Sequence, residues 1–595
     1  MEKWMVAARK ADFNRLAETF SISPVLARIM VNRGLKEDED FRRYLYGDLG
    51  DLHDGSLLKD MNKGIRLLRQ AISEGQLICI ASDFDVDGVF SGYILWQGIR
   101  MAGGRAYVIA PDRIHEGYGL NERIVGEAHS KGAGCIITCD NGIAAMEAVT
   151  TAKELGMTVI ITDHHEVIYQ SNIDENGNVK KIYELPEADA VIDPKQEDCP
   201  YPFDGLCGAG VAFKVIEQLY MSNGIPKENL YELLPFTAIA TVADVMDLVD
   251  ENRIIVKYGL HRLAKTPHLG LQSLIRHCGL NKEYISAYNV GFVIGPCFNA
   301  AGRLDTAQMA EALLQTEDRE EAERMAADLV SLNQSRKEMT VLGYEQALEK
   351  IAKEEIYKDK IMILCLEDCH ESLVGIIAGR LKEKYYRPVI VGTEANGIIK
   401  ASGRSIEAYN MYEGLSECRD LFERFGGHAM AAGMSLKVEN LEILRRRLNE
   451  KCGLTEESLM PVVHIDVPMP LEYISEGFVQ ELELLEPFGK GNSKPIFAER
   501  HFNILRASVI GKNKNVLKMI VKNDSGVSME ALYFGDIAAF DACVEAFYGL
   551  EARNKMYAGL PNPVDMAFTY YPSINEFGGR RTLQITVQHF QRIQR

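Results

Sequence analysis

The segment QLICIASDFDVDG (Gln76–Gly88) joins a short apolar run to a cluster of carboxylates and a glycine. Three further apolar runs follow it: AYVIAP (Ala106–Pro111), GCIITC (Gly134–Cys139) and TVIIT (Thr158–Thr162). Helix-patterned sequence separates these runs, beginning with VFSGYILWQGIRMAG (Val89–Gly103). Strands that alternate with helices, and that are apolar on both faces, indicate an α/β domain built on a covered parallel sheet. In such a sheet, ligands bind at the carboxyl ends of the strands.

The sequence pattern changes at two later points. Residues 316–357 carry a helical pattern without proline, which predicts a long connecting helix or a pair of helices. The runs KIMILCLED (Lys360–Asp368) and RPVIVGT (Arg387–Thr393) then predict strands of a second α/β domain. Beyond Pro461, short alternating segments separated by Gly, Asn and Pro predict a β-rich terminal domain of barrel or sandwich type.

Composition limits the class of protein. A chain of 595 residues is long enough for several domains. Its net charge of −19 argues against a protein that coats DNA through bulk charge, while a local basic groove stays compatible with it. The chain has no apolar stretch long enough to span a membrane and no apolar signal-peptide core at its start, and its 12 cysteines form no CxxC pair. We therefore expect a cytoplasmic protein with reduced thiols.

Three carboxylates, Asp83, Asp85 and Asp87, occupy alternate positions, so an extended segment would project them to one side. Their mutual repulsion is costly unless a cation neutralises them. An EF-hand calcium loop opens with the same pattern, but it needs a Glu at its twelfth position, where this chain has Ile94, and a preceding helix. The calcium-loop interpretation therefore fails, and a solvated acidic turn remains the alternative to a metal site.

Further polar residues follow the next apolar runs. Asp140 comes directly after GCIITC, the triplet Asp163, His164 and His165 follows TVIIT, and Asp244 closes the apolar segment FTAIATVA. Asp140 and Asp163 are each suitable as helix N-caps. Loops after neighbouring parallel strands meet at one edge of the sheet, however, so we expect these carboxylates and imidazoles to converge on a metal site there.

Oxygen ligands mixed with one or two imidazoles favour Mn²⁺ or Mg²⁺ over zinc held by thiolates. The ligand count exceeds the needs of one ion, whereas two ions about 3.5–4 Å apart, bridged by a carboxylate, would use all of them. Such a pair stabilises the attacking and leaving oxygens of an in-line displacement at phosphorus. The residues therefore predict hydrolysis of a phosphate ester or anhydride.

The motifs DFDVDG, CDNG, DHH and VAD, in this order, resemble the DHH phosphoesterase superfamily. FGGHAMAAG (Phe425–Gly433) is similar to the phosphate-site signature of its companion DHHA1 domain. Other segments resemble one branch, the RecJ exonucleases specific for single-stranded DNA. These segments are DPKQEDCPYPFDGLCGAGVAFK (Asp193–Lys214), GPCFNAAGRLDTA (Gly295–Ala307), LVSLNQSRKE, ASGRS (Ala401–Ser405) and LEPFGKGN (Leu485–Asn492). The branch usually carries a basic residue in GPCFN, where this chain has Cys297 and Phe298.

The resemblance implies roles for individual residues. The implied metal ligands are Asp83, Asp85, Asp87, Asp140, His164 and Asp244. The implied catalytic residues are Asp85, Asp140, as a bridge between the ions, and His165. His165 would contact the scissile phosphate or help to protonate the leaving group; a hydrogen bond that orients a metal ligand is the alternative. The implied substrate-binding residues are Arg303, Ser402, Arg404, Gly426, Gly427 and His428. Structural salt bridges are the alternative for the two arginines.

The fold expected from pattern and resemblance together is α/β: a parallel-sheet DHH domain joined by a long helix to a smaller α/β DHHA1 domain, followed by an OB-fold-like C-terminal β-barrel. The expected domains are residues 1–72, an N-terminal helical extension; 73–315, the DHH catalytic domain; 316–357, the connecting helix; 358–455, the DHHA1 substrate-binding domain; and 456–595, the OB-fold-like domain.

An OB-fold binds single strands through stacking aromatics and a basic groove. The candidate contacts in this domain are Phe497, Phe502, Tyr533, Phe534, Arg580 and Arg581. Packing in the barrel core is the alternative for the aromatic residues.

The predicted function is that of a two-metal exonuclease on single-stranded DNA. The resemblance implies 5′-to-3′ polarity, release of nucleoside 5′-monophosphates and a role in DNA repair and recombination. It also implies a monomer whose partners are single-stranded DNA, single-strand-binding protein and a RecQ-type helicase, with no membrane. A DHH phosphodiesterase acting on short oligonucleotides or cyclic dinucleotides, and a catalytically silent DHH scaffold, are the alternatives.

Overall fold

The computed structural model describes residues 2–112, 118–173, 179–304 and 307–593. The chain divides into two compact units. The large unit comprises Met1–Glu2, Asp54–Asp244 and Tyr258–Pro461, and the barrel unit comprises Lys3–His53, Val245–Lys257 and Val462–Arg595. Within the described ranges, no helix is both long and apolar enough to cross a membrane.

The α-helices are, in chain order, α1 Phe13–Phe20, α2 Pro24–Asn32, α3 Asp38–Tyr46, α4 Met61–Ser73, α5 Val86–Met101, α6 Glu122–Ser130, α7 Met146–Glu154, α8 Gly208–Asn223, α9 Lys227–Tyr231, α10 Leu234–Ala243, α11 Asp250–Leu263, α12 Leu269–His277, α13 Ala287–Asn289, α14 Gly295–Leu304, α15 Ala307–Gln315, α16 Arg319–Lys353, α17 Val374–Tyr385, α18 Met411–Ser416, α19 Leu441–Lys451, α20 Glu476–Leu482 and α21 Ile537–Ala558. A π-helical segment, Val290–Ile294, joins α13 to α14.

The β-strands are β1 Lys3–Val6, β2 Leu77–Ala81, β3 Arg105–Ile109, β4 Ala133–Thr138, β5 Thr158–Thr162, β6 Tyr169–Ile173, β7 Val179–Tyr183, β8 Ala190–Ile192, β9 Met362–Leu366, β10 Val389–Ala395, β11 Ile398–Arg404, β12 Phe422–His428, β13 Ala431–Lys437, β14 Val462–Ile465, β15 Val467–Pro468, β16 Phe497–Ile510, β17 Val516–Lys522, β18 Ser528–Tyr533, β19 Asp565–Phe577 and β20 Arg580–Arg592.

The predicted parallel sheet is present in the large unit. Its strands lie in the order β3-β2-β4-β5-β8, and each neighbouring pair is parallel. The apolar runs form its central strands, where Ile78, Ile137 and Ile160 are buried because helices cover both faces of the sheet. All of these strands therefore end at one edge, which is the edge where the sequence predicts the metal site.

A second sheet in the large unit has the order β12-β13-β11-β10-β9. Only β9 and β10 run parallel, and the other pairs are antiparallel. The predicted connecting helix is α16, a single helix of 35 residues whose N-cap, Asp318, accepts a hydrogen bond from the amide of Glu321. It packs against α12 and α14 at one end and against α17 and β9 at the other.

The barrel unit contains a closed five-stranded barrel, which confirms the prediction of a C-terminal β-barrel. Its strands follow the order β16-β17-β18-β20-β19, and β19 pairs again with β16 to close it. Residues 3–53 belong to this unit: β1 pairs in parallel with β14, and α1 to α3 share the barrel's hydrophobic core. The 72 residues of the predicted N-terminal extension are thus divided between the two units.

The barrel corrects three of the predicted DNA contacts. Phe497 and Phe502 are fully buried, and Tyr533 is nearly so, because their strands turn these rings into the core. Phe534, the next residue along from Tyr533, points outward and is 60% exposed. Arg581 pairs with two glutamates at the surface. The alternative of core packing holds for the first three aromatic residues.

Candidate metal centre and substrate cleft

Three loops at the carboxyl edge of the parallel sheet bring together the acidic and histidine residues. Asp83 follows β2, Asp140 follows β4, and His164 follows β5. Asp244, in contrast, is the C-cap residue of α10, so this carboxylate is presented by a helix end. Convergence of the first three motifs follows from the parallel topology, since neighbouring strands end side by side.

The expectation that three alternate carboxylates project to one side of an extended segment is wrong. Asp85 is the N-cap of α5 and accepts a hydrogen bond from the amide of Gly88 at 3.0 Å, while Asp87 lies in the first helical turn. The chain turns from strand to helix within the motif, so Asp87 points toward a different set of neighbours from Asp83 and Asp85. One motif therefore contributes to two groups of candidate ligand atoms.

The donor atoms form overlapping groups, in each of which all atoms lie within 4.8 Å of one another. The three groups are Asp83, Asp85 and Asp140; Asp87, His164 and Asp244; and Asp140, His164 and His165. Asp140 and His164 each belong to two groups, which makes them shared members. An arrangement with shared members suits two neighbouring cations better than one.

His164 lies at the centre of the cluster. Its Nε2 is 2.9 Å from a carboxylate oxygen of Asp140, 3.6 Å from Asp87 and 3.9 Å from Asp244. Burial lowers the pKa of His164, which favours the neutral imidazole that binds metals. Its Nδ1 is buried and has no hydrogen-bond partner among the described residues.

The carboxylates repel one another strongly. Burial, together with the charges of Asp87, Asp85, Asp244 and Asp83, raises the pKa of Asp140 well above its ordinary value. Burial and the charge of Asp87 also raise the pKa of Asp85. Buried carboxylates beside an imidazole form an oxygen-rich donor set that fits Mn²⁺ or Mg²⁺, because a divalent cation relieves this repulsion.

The triplet that contains His164 also fixes His165. Asp163 accepts hydrogen bonds from the amide of Ile143 at 2.9 Å and from Nδ1 of His165 at 2.8 Å. Burial lowers the pKa of His165, but the hydrogen bond and charge of Asp163 outweigh this effect and raise the pKa to about 9. Asp163 therefore favours the protonated form of His165, whose ring remains partly exposed beside the cluster.

The structure adds contacts that the sequence pattern did not identify. Backbone amides at the start of α8, from Gly208 and Ala209, donate to the two oxygens of Asp87 at 2.7 and 2.8 Å. The hydroxyl of Tyr118 donates to the carbonyl of Asp140 and lies 3.0 Å from Nδ1 of His165. Tyr118 lies in a loop, where sequence periodicity does not indicate which residues contact the site. For α8, the glycines of GAGVAFK are the sequence signal from which its contacts with Asp87 could be predicted.

A cleft of about 260 Å³ lies elsewhere in the large unit and is lined mainly by basic and hydroxyl side chains, together with Glu371 and Val374. Arg303 on α14 donates to the carbonyl of Ser372 at 2.6 Å. Arg404 on β11 donates to the hydroxyl of Ser402 at 2.8 Å, and burial lowers its pKa. The structure thus brings together three of the predicted substrate-binding residues, and Lys400, paired with Glu371, lines the same cleft.

The other three predicted substrate-binding residues lie on β12, the edge strand of the same sheet. Ser402 pairs with Gly433, which in turn pairs with Gly426, so these residues share one face across three strands. Arg404, Ala431 and His428 form the adjacent row. A side chain at Gly426 or Gly433 would meet nothing within 4 Å, so the glycines leave bare backbone beside the cleft. Gly427 has a φ of +149° and, as the next residue along β12, lies on the opposite face of the strand from Gly426.

The helix α14 connects the two regions. A side-chain carbon added at Gly302 would lie 2.5 Å from the carbonyl of Phe84, so α14 packs directly on the loop that carries the first carboxylates. The next residue, Arg303, reaches into the cleft. Asp305 and Thr306, at the end of the same motif, lie outside the described residues.

Comparison with known proteins gives consistent results along the chain. Residues 77–241 match the DHH family, N-terminal domain, residues 358–453 match the DHHA1 domain, and residues 465–589 match the RecJ OB domain. The RecJ single-stranded-DNA-specific exonuclease of Bacillus subtilis is 38% identical over 528 residues, which span 88% of this chain and 64% of the relative. That of Dickeya dadantii is 32% identical over 590 residues, 96% of each chain.

A solved structure is similar over the whole chain. The crystal structure of RecJ in complex with Mn²⁺ from Thermus thermophilus has a TM-score of 0.79 and 25% sequence identity. The alignment covers 100% of this chain and 80% of that one.

Proposed function

Because the chain belongs to the RecJ family of single-stranded-DNA-specific exonucleases, we propose that it hydrolyses single-stranded DNA from an end in a reaction that depends on Mn²⁺ or Mg²⁺. The observation that carries the proposal is the set of three overlapping donor groups, which Asp140 and His164 link, in the same unit as a cleft with basic side chains. The family match supplies the substrate class, and the site supplies the chemistry.

The proposed ligands of two cations are Asp83, Asp85, Asp87, Asp140, His164 and Asp244, with Asp140 shared between the ions. Bound Mn²⁺ or Mg²⁺ supplies Lewis-acid chemistry: it lowers the pKa of a water nucleophile and neutralises charge on the phosphate. Hydrogen bonds within the protein orient these ligands without the help of a metal. The amides of α8 orient Asp87, and the hydroxyl of Tyr118 fixes the backbone of Asp140.

His165 has a separate role in this proposal. Its imidazole is held by Asp163, which favours the protonated ring, so it can donate a hydrogen bond to the scissile phosphate or a proton to the leaving oxygen. The rigid hydrogen bonds to Asp163 keep this donor beside the shared ligand Asp140.

The basic cleft would hold the phosphate next to the scissile bond. Arg303 from α14 and Arg404 from β11 both line this cleft with guanidinium groups, and Ser402 adds a hydroxyl. A planar guanidinium is suited to binding two phosphate oxygens at once. The glycines Gly426 and Gly427, with His428, would let the terminal nucleotide lie against the bare strand β12. A site that holds one end in this way favours exonuclease action.

Finer aspects of the proposal rest on family resemblance. These are 5′-to-3′ polarity, release of nucleoside 5′-monophosphates, a cytoplasmic monomer acting in DNA repair and recombination, and partnership with single-strand-binding protein and a RecQ-type helicase. The domain boundaries at residues 72, 315, 357 and 455 are likewise proposed.

The test is to incubate a long single-stranded DNA, labelled at either end, with the protein and Mn²⁺, using Asp140→Ala as the control. The proposal predicts early release of the 5′ label as a mononucleotide, and no release with the variant. Cleavage confined to dinucleotides or cyclic dinucleotides would overturn the substrate class. Absence of cleavage together with absence of Mn²⁺ binding would favour the silent scaffold.

A further inference from the structure

Two aromatic rings stack on each other at the surface of the large unit. The ring centroids of Tyr288 and Phe292 are 4.7 Å apart, with an angle of 27° between the planes. The side chains are 66% and 65% exposed, more than any other large hydrophobic residue in the described parts of the chain. Exposed rings of this size, held together in one orientation, indicate a surface that binds a partner.

The pair lies on the same helical rod as Arg303. The helix α13, the π-helical segment and α14 follow one another without a break. Positions on this rod that keep access to solvent include Tyr288, Phe292, Pro296, Asn299 and Arg303. They are spaced by four, four, three and four residues, so they follow one face of the rod. At 1.5 Å per residue, Phe292 lies about 16 Å along the axis from Arg303.

The π-helical segment carries Phe292 and packs beside the metal centre. A side-chain carbon at Gly291 would lie 3.6 Å from Val242, and one at Gly295 would lie 3.3 Å from Ala243. Both neighbours belong to the last turn of α10, which presents Asp244. π-helical segments are rare and often occur at functional sites.

Cations flank the middle of the rod. Asn333 on α16 donates to the sulfur of Cys297 at 3.4 Å and accepts from Nε of Arg336 at 3.1 Å. Burial and the nearby charge of Arg380 lower the pKa of Arg336, and Lys337 is also close to Cys297. Within the described residues, no carboxylate lies within 4 Å of these three cations, so their positive charge is available to a polyanion.

We propose that Tyr288 and Phe292 form a platform on which bases of the substrate strand stack, a few nucleotides away from the phosphate held by Arg303. This inference rests on the proposed function and extends it. Stacking on an aromatic face suits an enzyme that must accept any sequence, because every base has such a face. The rod would thus bind the DNA strand at two points along one face. Bases would stack on Tyr288 and Phe292, and Arg303 would bind a phosphate.

The substrate strand fits the platform better than a second protein does. A stable protein interface buries about 800 Å² on each partner, whereas two aromatic side chains offer only about 150–250 Å² each. The platform is continuous with the cleft through the rod, and the neighbouring cations complement a nucleic acid.

The test uses the full chain and two substrates, a twenty-nucleotide oligothymidylate and a thymidine dinucleotide. The variants are Phe292→Ala, Tyr288→Ala, Phe292→Leu and Phe292→Trp. Tyr357→Ala, which removes an exposed aromatic residue elsewhere in the large unit, is the matched control. KM and kcat are measured on both substrates with Mn²⁺, and the affinity for the long strand is measured separately in EDTA.

The platform predicts that each alanine variant weakens binding of the long strand at least about fivefold and raises its KM equally, with a smaller effect on the dinucleotide. Phe292→Leu should resemble the alanine variants, because leucine lacks a ring face. Phe292→Trp should keep the affinity, and its fluorescence should be quenched by the long strand. Tyr357→Ala should match the wild type.

The platform proposal would be overturned if the alanine variants lost affinity equally for both substrates or lost none. It would also be overturned if Phe292→Leu bound the long strand as well as the wild type does. In each of these cases the wild-type protein still degrades the long strand, so the proposed function survives. A wild-type protein that neither binds nor cleaves the long strand would overturn both.

Discussion

At the residue scale, the geometry of the proposed metal centre depends on a glycine. Gly208 begins α8, and its amide donates to Asp87. A side-chain carbon at this position would lie 2.6 Å from Cβ of Asp140, closer than two such carbons approach in proteins. The glycine therefore allows one helix terminus to orient Asp87 while it touches Asp140, the proposed shared ligand.

Gly208→Ala should displace Asp140 or α8 and lower kcat at least about tenfold, equivalent to ~1.4 kcal/mol of lost transition-state stabilisation. Gly126→Ala is the control, because a side chain at Gly126 on α6 would meet nothing within 4 Å. That change should leave kcat unaltered and stabilise the helix by up to about 1 kcal/mol. Equal activity of the two variants on single-stranded DNA would refute the packing argument.

At the element scale, α12 is capped by a histidine that must stay neutral. Nδ1 of His268 accepts from the amide of Leu271 at 3.2 Å, and Nε2 donates to the carbonyl of Leu314 at 2.8 Å. The ring packs edge-on against Tyr93 and Phe236. Burial lowers the pKa of His268 from its ordinary value of 6.5.

Because the folded-state pKa of His268 is the lower one, the unfolded chain binds the proton more readily. The stability that His268 contributes is complete above about pH 6.5 and is lost as the pH falls below it. We expect His268→Asn, which keeps a capping acceptor but does not titrate, to lose less stability on acidification than the wild type.

The measurement is the free energy of unfolding in urea at about pH 8 and about pH 5.5, with the exposed His129→Asn as the control. The control should show the same pH dependence as the wild type. If His268→Asn shows it as well, His268 is not the group responsible.

Much of the site could be predicted at this scale, because parallel strands end at one edge. Asp140 and His164 follow directly from that rule. Asp244 could be named by its motif, but its position at a helix end depends on how α10 packs. Tyr118 could not be identified, because its contact with the backbone of Asp140 depends on the path of a loop.

At the scale of the whole molecule, the barrel unit is assembled from distant parts of the sequence. Lys3 pairs with Val462 in the parallel β1–β14 pair, across more than 450 residues. Phe41 on α3 is fully buried in the barrel unit's core and stacks on Phe20, with centroids 5.5 Å apart. Local sequence patterns identify these helices but carry no information about such distant partners. The same limit explains why the sequence predicts the alternating barrel strands but leaves open whether Phe497, Phe502 and Tyr533 contact DNA or pack in the core.

Phe41→Ala should lower the free energy of unfolding of the barrel unit by about 3–5 kcal/mol, because it leaves a cavity in that core. The chain has two tryptophans, of which Trp4 belongs to the barrel unit and Trp96 to the large unit. Urea unfolding of a Trp96→Phe background, followed by Trp4 fluorescence, reports on the barrel unit alone.

The control is Tyr46→Phe, a change at an exposed residue of the same helix. It should cost less than about 1 kcal/mol. An equally small effect of Phe41→Ala would mean that residues 3–53 are not part of the barrel unit's core.

The most direct test of the proposed metal centre is to count the Mn²⁺ ions bound by the metal-free full chain, using electron paramagnetic resonance of the free ion. We expect two bound ions per chain, and the loss of at least one in Asp140→Ala, because Asp140 belongs to the group with Asp83 and Asp85 and contacts His164 of the group with Asp87 and Asp244. The surface variant Asp198→Ala should bind as the wild type does. No bound Mn²⁺ in the wild type, or two ions held with unchanged affinity by Asp140→Ala, would contradict the two-cation centre.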